Sequence, residues 1–150
     1  MNDELFDLYQ QMILDHGKRP RNFGEREDAE HSASGHNPLC GDKCRVHLDL
    51  DGDRIDRVGF DGEGCAISTA SASLMTEAVK GLTLEEAADL FERLHRLVTE
   101  GEGADDPRLG KLAVFSGVRR FPLRVKCATL AWHTLIAALD GRNETVRTEA

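Results

Sequence analysis

The stretch Asn37-Pro38-Leu39-Cys40-Gly41-Asp42 sets a potential thiolate and a carboxylate two residues apart, and two more isolated cysteines, Cys65 and Cys127, follow far along the chain. If these groups share one metal ion, the fold must carry three distant segments to a single point, a stronger constraint than any other feature of the sequence. Met1-Asn2-Asp3-Glu4 has neither the basic nor the apolar region of a secretory signal, and the longest apolar runs are too short for a bilayer. A cytoplasmic location is therefore expected. In that reducing compartment four cysteines read as metal ligands, reactive thiols or buried apolar residues rather than as disulfides.

With 150 residues, the chain is expected to form one domain able to bury a core without covalent staples. Its 27 acidic against 19 basic residues, a net charge of -8, argue against a nucleic-acid backbone as the main partner. Two local exceptions stand out. Lys18-Arg19-Pro20-Arg21 reads as a solvated helix end, while Arg119, Arg120, Arg124 and Lys126 abut Cys127.

Leu5, Leu8, Tyr9, Met12 and Ile13 fall at helical spacing, so a first amphipathic helix is expected over 3–16, ending near His16-Gly17. Residues 18–36 are polar and without period, and read as an irregular arm. From Cys44 the pattern alternates: Cys44, Val46, Leu48 and Leu50 face one way, Arg45, His47 and Asp49 the other. Asp51-Gly52 signals a hairpin, 54–60 the returning strand, and Asp61-Gly62-Glu63-Gly64 a turn delivering Cys65. The period then becomes helical, with Ile67, Ala70, Leu74, Met75 and Ala78 on one stripe closed by Gly81. Thr83-Leu84-Glu85-Glu86 is a capping box opening a helix with Leu84, Ala87, Ala88, Phe91, Leu94 and Val98 inward, stopping near Gly101. Residues 101–110 read as a flexible segment with a short helix, 111–115, behind it. A last helix is expected over about 125–139, with Cys127 in its first turn, and a frayed polar tail over about 142–150. Strands that cluster before long helices give an α+β class, a small antiparallel sheet with helices packed on it.

A tetrahedral zinc site takes four ligands from Cys, His and Asp or Glu. In an extended segment Cys40 and Asp42 point the same way, and Gly41 between them permits an unusual backbone angle and removes bulk near an ion. Cys65 and Cys127, at helix starts, meet unpaired N–H groups and a dipole end that favour thiolate over thiol. Three thiolates and a carboxylate over-charge a divalent cation, and Arg124 and Lys126 lie where they offset the excess. Cys44 reads first as a buried residue on the apolar face of its strand and second as a spare thiol four residues from Cys40. His36 lies close enough to the opening stretch to be considered a ligand, whereas His133 reads as a packing or surface residue.

Asn37 to Asp42, Gly62-Glu63-Gly64-Cys65-Ala66-Ile67-Ser68 running into Ala70-Ser71-Ala72-Ser73-Leu74-Met75, and Arg124-Val125-Lys126-Cys127-Ala128-Thr129-Leu130-Ala131-Trp132 together resemble the U-type iron-sulfur assembly proteins (NifU N-terminal/IscU-like), most of all their SufU branch. The resemblance covers about residues 5 to 140. It implies a three-stranded antiparallel sheet with helices on one side, and a Zn2+ site built from Cys40, Asp42, Cys65 and Cys127. It also implies that sulfur is accepted as a persulfide from a pyridoxal-phosphate cysteine desulfurase of SufS type and passed toward a downstream Suf-type cluster scaffold. The chain departs from IscU-type scaffolds in two places: Lys126 stands where they carry a His, and Phe121-Pro122-Leu123-Arg124-Val125-Lys126 replaces their Pro-Pro-Val-Lys segment. Residues about 101 to 122 resemble the insertion of the SufU branch.

On this reading Cys40 is the sulfur acceptor, on a Pro/Gly segment rather than a helix, and Asp42, Cys65 and Cys127 keep the ion in place. Two other readings stay open: a scaffold on which an iron or iron-sulfur centre is built with the same ligands, and a non-catalytic module whose zinc staples the fold.

Overall fold

The alternation over 44–50 lies within a strand, β2 (Asp42–Asp51), in a computed structural model that describes residues 3–24, 28–38, 41–140 and 145–147. Cys44, Val46 and Leu48 are buried under the helices. The returning strand is β3 (Arg54–Glu63), joined through Gly52 in the left-handed region at φ 64°. Asp49 pairs with Arg57 but Leu50 with Ile55, so Asp56 is an extra residue. This bulge turns both Ile55 and Val58 into the core although they stand three apart. Residues 61–63, expected in a turn, continue β3, pairing with 43–45. Gly62 makes this possible, since a Cβ there would overlap the Lys43 carbonyl.

The expected irregular arm over 18–36 is corrected at its end: His31–Asn37 form β1, antiparallel to β2 from His31↔Leu48 to Asn37↔Asp42. Apolar alternation could not announce this strand, because its inward positions must be small. A Cβ on Gly35 would overlap Thr134 Oγ1 and lie 3.0 Å from Leu130 Cδ1 on the helix α4 (Pro122–Leu139) that crosses it. Earlier in the arm, Gly24 N–H donates to the Phe60 carbonyl (2.9 Å) and Phe60 N–H to that of Asn22 (3.1 Å), which caps the outer edge of β3. His47 reaches this strap across side-chain-free Gly59, its Nε2 2.6 Å from the Gly24 carbonyl oxygen. The expected three antiparallel strands gain a fourth, β4 (Thr145–Arg147), parallel to β1 and inside the tail read as frayed; the order is β3-β2-β1-β4.

The helices cover one face of the sheet. Helix α2 (Ala66–Val79) is buried nearly all round, with Ser68, Ser71, Ser73 and Thr76 as well as Ala70, Leu74 and Met75 enclosed, so the single expected stripe understates it. Its small residues let α1 (Asp3–Lys18), α4 and β3 approach from three sides; Gly17 of α1 sits against Ala66. Buried polar groups replace grease along this seam: His16 Nδ1 lies 2.7 Å from Ser73 Oγ, and Asn22 Nδ2 donates to Thr76 Oγ1 at 2.9 Å. Leu8, expected inward, is 61% exposed.

Helix α3 (Leu84–Glu100) begins at the predicted capping box, the side chains of Thr83 and Glu86 each accepting the other's backbone N–H, and ends at Gly101, φ 74°. It buries Leu90 and Leu97 in addition to the expected Ala87, Leu94 and Val98, while Ala88 is exposed. The insertion is tied to α3: Arg93 donates to both Asp89 (2.8 Å) and Asp106 (2.5 Å), and Arg108 to Asp89 (3.3 Å). Behind it a 3-10 helix, Gly110–Arg120, extends the short helix expected over 111–115 and buries Leu112, Val114, Phe115 and Val118. No described helix is long and apolar enough to cross a membrane.

Candidate metal centre

Asp42 opens β2 on the face toward the helices and is 1% exposed. Cys65 is the N-cap of α2, with extended backbone (φ -68°, ψ 169°), and its Sγ accepts the Ser68 N–H at 3.4 Å. The two are bound together: Cys65 N–H donates to Asp42 Oδ1 at 3.0 Å, and Cys65 Sγ lies 3.8 Å from Oδ2. Gly64 keeps that approach open, since a Cβ there would stand 3.0 Å from Asp42 Oδ1. Cys127 comes from α4 and is 1% exposed. One ligand atom each from Asp42, Cys65 and Cys127 falls within 4.8 Å of the others, the one such group of potential metal-binding side chains among the described residues.

The helix holding Cys127 starts earlier than expected. Proline is well suited to the first helical position, and α4 begins at Pro122 rather than near Val125, so Cys127 lies in the second turn and not the first. A free N–H end therefore acts on Cys65 but not on Cys127. The Cys65 thiol is pulled down to about 6, chiefly by its hydrogen bond with Cys127 and then by the Ser68 N–H, against burial and the Asp42 charge, which push the other way. Arg124, at the mouth of the site, is held above its ordinary pKa by the charge of Cys65 and then of Cys127, with hydrogen bonds to both sulfurs.

Other candidates separate. Cys40 lies outside the described residues. Gly41 beside it has φ 75° and nothing within 4 Å of an added Cβ, so it serves the backbone angle and not the removal of bulk. Lys126 has no described side-chain contact with the sulfurs; its carbonyl accepts the Thr129 hydroxyl at 3.4 Å. His36 pairs across from Lys43, one residue out of step with buried Asn37 and Asp42, and so sits on the sheet face opposite the centre. Cys44 belongs to the core, 6% exposed, its thiol pushed up to about 12 by burial and then by Asp61 and Asp42. His133 packs edge-on against Phe91, ring centroids 4.9 Å apart. Gly64 and Ser68 were missed as site-builders; the Gly-Cys-x-x-Ser spacing over 64–68 was the available signal.

Two sulfurs and one carboxylate oxygen, with Asp42 and Cys127 buried and Cys65 half-buried at a helix N-terminus, form a donor set suited to a borderline-soft divalent ion. Zinc fits this donor set, and these three residues would hold it together with one further ligand.

A family model described as the NifU-like N-terminal domain matches residues 8–140. The chain is 42% identical over 145 residues to a Bacillus subtilis protein named zinc-dependent sulfurtransferase SufU, covering 95% of this chain and 98% of that one. It is 40% identical over 136 residues to a Streptococcus pyogenes protein named iron-sulfur cluster assembly scaffold protein IscU, covering 91% and 85%. A crystal structure from Fervidobacterium islandicum, described as a putative iron-sulfur cluster assembly scaffold protein for the SUF system, superposes with a TM-score of 0.82 at 36% identity, covering 92% of this chain and 99% of that one.

Proposed function

Because the chain belongs to the NifU-like N-terminal domain family, the family of iron-sulfur cluster assembly proteins that includes IscU and SufU, we propose that it is a zinc-dependent sulfur acceptor. In this reading it takes persulfide sulfur from a SufS-type cysteine desulfurase and passes it to a downstream Suf-type scaffold. One observation carries the reading: Asp42, Cys65 and Cys127 converge from a strand, a helix cap and a second helix on one buried point with a guanidinium at its mouth. Similarity to a protein named as a zinc-dependent sulfurtransferase supports it.

Zinc bound there would hold the coordinating sulfurs as thiolates and shield them from oxidation. Asp42 is anchored by the Cys65 N–H and cannot swing away without leaving that part-buried donor unpaired. Cys65 is fixed at a helix cap and Cys127 inside a helix, so neither sulfur can travel far. Cys40, between the paired ends of β1 and β2, is the acceptor. Its thiolate attacks the outer sulfur of the donor's Cys–S–SH, forming Cys40–S–SH, while the donor cysteine leaves as a thiolate. Arg124 attracts the incoming anionic sulfur and balances the negative charge of the centre.

Desulfurase turnover in the presence of the chain tests the assignment. Cys40→Ala is expected to retain zinc and abolish stimulation; undiminished stimulation refutes the acceptor role. A scaffold reading is favoured by the similarity to proteins named as scaffolds. A brown protein from anaerobic preparation that hands its cluster to an apo-acceptor supports that reading, and a colourless zinc protein supports transfer.

A further inference from the structure

Away from the metal centre, α2, α3 and the insertion enclose a groove of about 910 Å³. Its floor is apolar: Ala78 and Leu82 are partly exposed, above the core residues Leu74, Leu90, Leu109 and Leu112. Its rim is charged, and along α3 it is acidic. Glu85, Asp89 and Glu92 stand at i, i+4 and i+7 and so form one stripe along the helix. A second hollow of about 650 Å³ on the other side of that stripe, floored by Ala88, Phe91 and Ile136, shares Glu85 and Asp89 and adds Glu92. The stripe is thus a ridge of carboxylates between two apolar hollows. The first hollow does not come from α2 and α3 alone: Arg108 and the 3-10 helix wall it, and the Arg93–Asp106 and Arg108–Asp89 pairs fix that wall to α3.

Charge selects the occupant. Two rim acids already have roles, since Glu86 closes the cap with Thr83 and Asp89 holds Arg93 and Arg108. Glu85 has no partner among the described residues, and the nearest cation to Glu77 is His16, 3.7 Å away and charged only when protonated. Against these the rim offers Lys111 alone as an unengaged cation. We infer that this groove is a docking surface for a basic amphipathic helix of a protein partner, its apolar side chains on the partly exposed Ala78 and Leu82 and its lysines or arginines over Glu77 and Glu85. Helix-in-groove recognition needs this pairing of an apolar trough with a charged lip. The groove lies at the C-terminal end of α2, thirteen residues from Cys65, which a rise of about 1.5 Å per residue places about 20 Å from the centre. Such a partner binds while the metal end is engaged elsewhere, so the inference goes beyond the proposed sulfur transfer and stands without it.

The test uses the full chain and a fluorescent 15-residue peptide of leucine and lysine with leucines at i, i+3, i+4 and i+7. Controls are the same composition with scrambled leucines and a version with glutamate for lysine. Saturable anisotropy is expected for the amphipathic basic peptide only. Ala78→Trp, which fills the trough, is expected to weaken it about tenfold or more, and Glu77→Gln with Glu85→Gln to weaken it severalfold and flatten its salt dependence. The second variant keeps the trough and serves if circular dichroism shows that the first misfolds. Equal binding of the scrambled or acidic peptide, or unchanged binding in the Gln double variant, overturns the inference. So does a chain dimer in sedimentation that Ala78→Trp dissociates, because the occupant is then a second copy.

Discussion

Asp42 is asked to do two things, to accept the Cys65 N–H and to supply a ligand, and two substitutions separate them. Asp42→Asn keeps an acceptor oxygen where Oδ1 stands 3.0 Å from the Cys65 nitrogen but removes the charge; Asp42→Ala removes both. In metal-free protein, Asp42→Ala leaves a part-buried donor at a helix start without its partner, costing about 1.5–3 kcal/mol. In a chain of this length each kcal/mol lowers Tm by roughly 2–4 °C, so a loss of about 3–12 °C is expected, whereas Asp42→Asn stays within a few degrees of wild type. Zinc binding reverses the grouping. Loss of a group that merely supports a ligand costs about 10–100-fold in affinity, and loss of the ligand charge itself should cost at least the upper figure in both variants. Differential scanning calorimetry without metal and chelator competition with zinc give the two numbers. Wild-type zinc affinity in Asp42→Asn, or equal metal-free stability of the two variants, refutes the division of roles.

Gly35→Ala should cost about 1–3 kcal/mol in chemical denaturation through overpacking against α4, and adding Thr134→Ala should recover part of it, because the new Cβ meets Thr134 Oγ1 first. Thr83→Ala should cost about 1 kcal/mol and be non-additive with Glu86→Ala, since the two residues form one cap. His16 has its pKa lowered by burial and then by Arg21, against the pull of Glu77 and Asp15. The unfolded chain therefore binds a proton that the folded chain refuses, so the stabilising contribution is complete above the ordinary imidazole pKa. It is lost as pH falls from there through the lowered folded value, and a pH series of melts should show a shallower acid limb in His16→Gln. Arg124→Ala should slow sulfur acceptance roughly tenfold, with partial recovery in Arg124→Lys, as judged by single-turnover transfer.

The hairpin, the capping box and the helix after Cys65 were legible because each depends on local chemistry: a period, a turn residue or a cap. What escaped depends on contacts between distant segments. The inward positions of β1 are Ala33, Gly35 and Asn37 because α4 crosses close to its backbone, and β4 is fixed by pairing with β1, so neither carries an apolar pattern of its own. The bulge at Asp56 hides Ile55 from period-two reading. Pro122 opens α4 instead of preceding it, three residues before the expected start, which puts Cys127 one turn further in and leaves Cys65 alone at a helix end. Leu8 fits the stripe of α1 by spacing, yet α1 rests its inner face on the Ser and Thr seam of α2 and leaves Leu8 outside.

The central claim is that the stretch from Asn37 to Asp42 carries sulfur. Intact-mass analysis after incubation with a cysteine desulfurase and free cysteine tests it directly. The account predicts one added sulfur atom, removable by reductant, mapped to Cys40 by peptide digestion and absent in Cys40→Ala. An adduct on Cys65 or Cys127, or one that persists in Cys40→Ala, contradicts it.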